Sequence, residues 1–97
     1  MNIGLAIKKI RTEKNIAQGV LAGEIGISQT SLSQIEGGLK KPSSKTLNSI
    51  SKALNVPEPI FYIYGIEESD VPKKKRKVYD ILYPTIEDMI KKILVEE

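Results

Sequence analysis

Residues 18–38 read Gln18-Gly-Val-Leu-Ala-Gly-Glu-Ile-Gly26-Ile-Ser-Gln-Thr-Ser-Leu-Ser-Gln-Ile-Glu-Gly-Gly38. The pattern predicts two short helices, about 18–25 and 29–36, joined by a tight turn at Gly26. Val20, Leu21 and Ile25 follow the helical period; Ile27 crosses the turn, and Leu32 and Ile35 restart the period beyond it. Gln29, Thr30 and Gln34 point away from that apolar stripe. Small uncharged side chains that both donate and accept hydrogen bonds are what contact with base edges requires. Ser28 suits the N-cap of the second helix, because its hydroxyl can accept from an amide one turn in. Gly37-Gly38 ends that helix, since a left-handed residue costs little there.

Upstream, a first helix is expected over about residues 2–14, with Ile3, Ala6, Ile7 and Ile10 inward and Lys8, Lys9, Arg11 and Lys14 on the wet side. Downstream, Leu39-Lys40-Lys41-Pro42 is a loop. Ser43 or Ser44 then caps a helix of about 44–54, with Leu47, Ile50 and Leu54 inward. Asn55-Val56-Pro57 stops it. The short apolar stretch Pro59–Tyr64 reads as a fifth helical turn closing the core, although its aromatic and β-branched content would also suit a strand. Residues 65–77 have the composition of a charged linker. Residues 78–97 regain helical periodicity, with Ile86, Met89, Ile90, Ile93 and Leu94 on one stripe and Val78, Ile81 and Leu82 upstream. Pro84 is expected to break the first turns of this segment from the rest, with Thr85 at the new start.

These residues resemble the compact five-helix DNA-binding domains of lambdoid phage repressors and Xre-type bacterial regulators. The resemblance runs from Ile10-Arg11 through Gln18, Leu21-Ala22, Gly26-Ile27-Ser28, Leu32-Ser33, Ile35-Glu36, Gly38, Pro42 and Leu47 to Ala53-Leu54-Asn55-Val56, about two-thirds of the chain. It implies an all-α fold: a DNA-binding domain over 1–64, a linker over 65–77 and a C-terminal helix over 78–97. It also implies that the helix near residues 29–36 enters the major groove of double-stranded DNA, with Gln29, Thr30, Ser33 and Gln34 as base readers. Gln18, Ser28, Lys40, Lys41 and Ser43 are then the phosphate-contacting residues. The chain departs from the family pattern in three ways. Ala17 stands where a capping Ser or Thr is usual, Gly19 and Gly23 lie inside a helix, and Gly37 replaces a larger polar residue.

Composition narrows the function. The 97 residues contain neither cysteine nor histidine, so thiol nucleophiles, His-dependent triads and Cys/His metal sites are excluded. No catalytic residue, cofactor or metal ligand is expected. The acids Glu87, Asp88, Glu96 and Glu97 lack metal-ligand spacing and read as a wet helix face. Tyr62, Tyr64, Tyr79 and Tyr83 read as packing residues. No apolar run approaches the roughly 20 residues that span a bilayer, so a soluble, cytoplasmic, bacterial or phage-encoded protein is expected.

Net charge is +3, unevenly spread: residues 1–64 hold eight Lys/Arg against four Glu, and 65–97 hold seven basic against eight acidic residues. The string Pro72-Lys-Lys-Lys-Arg-Lys-Val78 looks like a nuclear-import signal. The rest of the chain, however, resembles bacterial and phage proteins, which favours a solvated linker or an arm along the DNA backbone. A unit of about 60 residues is marginal alone, and a homodimer, paired through 78–97, is expected. The reading is a dimeric repressor. The alternative is an antitoxin whose C-terminal segment also binds a toxin.

Overall fold

A computed structural model describes residues 1–94; the expected acidic face at Glu96 and Glu97, and the last residues of the C-terminal helix, lie outside them. The described residues form six α-helices and no strand: α1 (Ile3–Glu13), α2 (Gln18–Ile25), α3 (Gln29–Glu36), α4 (Ser44–Leu54), α5 (Glu58–Tyr64) and α6 (Arg76–Leu94). Two single 3-10 turns, Glu68–Asp70 and Lys73–Lys75, lie between α5 and α6, in the segment expected as a linker.

Local chemistry explains most helix ends. Asn2 accepts from the Leu5 amide at 3.0 Å, Ser28 from Ser31 at 3.0 Å and Ser43 from Thr46 at 3.1 Å, so each satisfies an orphan donor at a helix start. Gly26 (φ 75°) and Asn55 (φ 56°) end α2 and α4 in the left-handed region. Pro57 precedes α5, and Pro59 sits in its first turn, where a missing N–H costs nothing.

Ala6, Ile7, Ile10, Leu21, Ala22, Leu32, Ile35, Leu47, Ile50, Leu54, Val56, Phe61 and Tyr64 make one core. Each apolar stripe of α1 to α5 contributes, and burying one Leu, Ile or Phe is worth roughly 1.5–3 kcal/mol. Val20 departs from its expected inward place: it is 55% exposed, because Leu21 and Ala22 already fill the inward face of so short a helix. Gly4 is buried where α1 meets the end of α3, and a Cβ there would strike the Ile35 carbonyl oxygen. The sequence pattern gave no sign of that close approach.

Pro84 does not divide the C-terminal segment, because α6 runs through it without a break. Proline removes the bond to the Asp80 carbonyl and normally costs about 3 kcal/mol. Here the halves on either side rest on one support. Tyr79 donates to the Ile66 carbonyl at 3.3 Å, Tyr83 to the Ile63 carbonyl at 2.7 Å, and Tyr64 to the Glu87 carbonyl at 3.3 Å. Tyr79 and Tyr83 stack with ring centroids 4.8 Å apart, and Ile90 and Leu94 pack against the core. Lys9 pairs with Glu87 at 3.5 Å. The packing role expected of the tyrosines holds for Tyr64, Tyr79 and Tyr83. Tyr62 departs from it, being 48% exposed.

Candidate nucleic-acid interface

The site is built on two eight-residue helices, α2 and α3, and the turn between them. Ala22, 2% exposed, is the small residue that lets them cross. Gly26 adopts φ 75°, a conformation that costs a side-chain-bearing residue roughly 1–2 kcal/mol. Its amide and that of Ile27 bond back to the Gly23 and Ala22 carbonyls. With Leu32 and Ile35 buried, the opposite face of α3 must point outward. Gln29, Thr30, Ser33 and Gln34 are all exposed, and with Gln18 they line one shallow open depression. The structure therefore brings the four expected base readers onto a single surface.

Behind that surface lies a polar network anchored in α1. Arg11 donates to both carboxylate oxygens of Glu36, at 2.7 and 2.9 Å, and to the Ile16 carbonyl at 2.8 Å. Gln18 donates to Glu36 at 3.0 Å, and its own oxygen accepts from Gln29 at 3.4 Å. The Glu36 side chain is 2% exposed and that of Arg11 12%. The hydrogen bond to Glu36 holds the Arg11 guanidinium above its ordinary pKa, against the opposing effect of burial. Arg11 was expected on the wet side of α1. It is instead drawn in, because Glu36 faces the interior and a buried carboxylate needs a partner.

The expected phosphate-contacting residues fall into two groups. Lys40 and Lys41 are exposed just beyond α3, and the loop is tied to the helix by the Leu39 and Lys40 amides, which both bond the Gln34 carbonyl. Neither lysine is in an ion pair among the described residues. Gln18, Ser28 and Ser43 already have partners. Gln18 spans Glu36 and Gln29, the Ser28 oxygen caps α3, and Ser43 both accepts from the Thr46 amide and donates to the Thr46 hydroxyl at 2.9 Å. Ala17 has the extended backbone of an N-cap (φ −67°, ψ 147°) but no side chain able to cap. The first turn of α2 therefore presents amides that no side chain satisfies. Gly19, an unfavourable helix residue by propensity, lies where a Cβ would come 3.1 Å from the Gln29 side-chain oxygen.

The sequence reading named Arg11, Glu36 and Gly19 but gave none of them a place in the site. Arg11 and Glu36 stand 25 positions apart, beyond the reach of any helical period. The one available signal was a charged residue, Glu36, lying directly beside the inward-facing Ile35.

Two short crossing helices, a glycine turn and an outward polar face define a helix-turn-helix module. The chain belongs to the helix-turn-helix family, whose model matches residues 7–61. It is 36% identical over 80 residues to an uncharacterised HTH-type transcriptional regulator of Mycobacterium tuberculosis, a match covering 81% of this chain and 55% of the relative. It is 43% identical over 54 residues to the ImmF control region 10 kDa protein of Bacillus phage phi105, covering 56% of this chain and 60% of that protein. It is also 26% identical over 93 residues to the HTH-type transcriptional activator BcrR of Enterococcus faecalis, covering 92% of this chain and 46% of BcrR. The chain thus spans about half the length of the curated relatives it matches. No helix of the described residues is long and apolar enough to cross a membrane, and they hold no cluster of acidic side chains able to bind a metal ion.

Proposed function

We propose that the chain is a sequence-specific DNA-binding transcriptional regulator, a cytoplasmic homodimeric repressor that reads the major groove with α3. The observation that carries this reading is the single exposed face of Gln29, Thr30, Ser33 and Gln34, backed by Gln18. A glutamine amide can bond adenine N6 and N7 together, and the threonine methyl can touch a thymine methyl. Lys40 and Lys41 supply sequence-independent attraction to the backbone. The uncapped first turn of α2 offers further donors to a phosphate, since free amides and the positive dipole end coincide there. In a two-fold dimer, two α3 helices enter successive major grooves about 34 Å apart. Being named as regulators, the relatives support the class, and the phage control-region protein supports the place of the reading module in gene control.

The test is binding titration on selected and scrambled DNA across a range of salt. Gln29→Ala should cost about 1–3 kcal/mol on the selected site and little on scrambled DNA. Lys40→Ala should weaken both and lower the salt slope by about one. Equal losses from both variants on every DNA would refute the base-reading assignment.

A further inference from the structure

Helix α6 carries two apolar faces, and the fold uses one of them. At 100° per residue, Tyr79, Tyr83, Ile90 and Leu94 gather on the side that docks on the domain. Val78, Leu82, Ile86, Met89 and Ile93 gather about 90° away round the helix, and they are 41% to 73% exposed. Six of the eleven exposed large hydrophobics among the described residues are on this helix, so the exposure is concentrated rather than scattered. With Ile81 at its border, the stripe presents about 650 Å², above the roughly 300–600 Å² of the largest patch on a typical monomer.

We propose that this stripe is the contact to a second copy of the chain, α6 packing antiparallel on α6. This deepens the dimer invoked in the proposed function and rests on that reading only for its consequence at DNA. Size is the first argument. Complete burial of the stripe on both copies would remove at most about 1,300 Å², which reaches the lower end of the roughly 1,200–2,000 Å² of a stable specific interface.

Symmetry is the second argument. A closed dimer uses the same patch on both copies, and the spacing Val78, Leu82, Met89, Ile93 is unchanged when read backwards. Its midpoint falls between Thr85 and Ile86. An antiparallel copy therefore sets Val78 against Ile93 and Leu82 against Met89, each twice.

Charge is the third argument and fixes the direction. The five cations at 73–77 lie at one end of α6, where a parallel copy would place ten together. The antiparallel copy separates the two blocks by about 28 Å, beyond the ~8 Å screening length at physiological salt.

The test begins with sedimentation velocity of the full chain without DNA. The wild-type chain should sediment as a dimer, and the Leu82→Glu/Met89→Glu double variant as a monomer with unchanged helical circular dichroism, since both side chains face solvent in a single copy. A wild-type monomer at the highest soluble concentration, or a dimeric double variant, overturns the proposal.

Direction is read by disulfide trapping, clean in a chain without cysteine. Mixed Val78→Cys and Ile93→Cys chains should cross-link to each other; Val78→Cys linking to itself overturns the antiparallel arrangement. On DNA, the double variant should match the wild-type chain on one half-site and lose about tenfold or more on two, because only a linked pair gains effective concentration. If the wild-type chain recognises no half-site, the DNA reading fails while the sedimentation result still decides the dimer.

Discussion

Glu36 is the carboxylate on which three elements converge: it ends α3, receives Arg11 from α1 and receives Gln18 from α2. A carboxylate that is 2% exposed must keep its donors, and removing one partner of a buried pair typically costs about 3–5 kcal/mol. Glu36→Gln keeps the shape and deletes the charge, so urea denaturation should show a loss of about 3 kcal/mol. The same variant replaces one acceptor oxygen by an amide group that can only donate, so the three donors held by Glu36 lose part of their acceptor set and the Gln18 support of Gln29 is weakened. Binding to a selected DNA site should then fall by more than the lost stability explains at temperatures where the variant is folded.

Among the elements, α2 has little local support. It has no capping side chain and contains two glycines, of which Gly23 meets nothing within 4 Å of a Cβ. Ala17 already has N-cap backbone angles, so Ala17→Ser should add a hydrogen bond without strain. The thermal midpoint should rise by the equivalent of about 1 kcal/mol.

Helix α6 depends on its tyrosines. Burial raises Tyr64 to about 12 and is the main cause of the upward shifts at Tyr79 and Tyr83. A raised folded-state pKa means the docked form holds the neutral phenol. The associated stability is complete below the unfolded value near 10 and disappears as pH climbs through the folded one. A spectrophotometric titration should show these tyrosines ionising late, together with loss of α6 docking above about pH 10.

The elements also show what sequence can disclose. The bounds of α2, α3 and α4 follow from signals within a few residues, such as Gly26, Ser28, Ser43 and Asn55, and the outward polar face of α3 follows from helical period. Pro84 was misread because the tyrosine bonds that hold both halves of α6 reach 13 and 20 residues back. Periodicity grouped Ile90 with Ile93, but tertiary contact sends the first inward and leaves the second 73% exposed.

For the whole molecule, every buried hydrophobic among the described residues lies between Ala6 and Tyr64, so their core is complete before α6 begins. A chain shortened to residues 1–66 should still unfold in one cooperative transition, at a lower midpoint because Ile90, Leu94 and the tyrosine bonds no longer cover α1 and α5. Calorimetry checks it; a broad, non-cooperative melt would mean that α6 belongs to the folding unit.

The stacked pair on α6 has one more consequence. The sequence has no tryptophan, and two phenol rings 4.8 Å apart and 18° from parallel couple their electronic transitions. The near-ultraviolet spectrum of the unlabelled chain should therefore contain an exciton signature from Tyr79 and Tyr83. That built-in optical gauge can follow the C-terminal helix through heating, dilution or titration with DNA, with no dye attached.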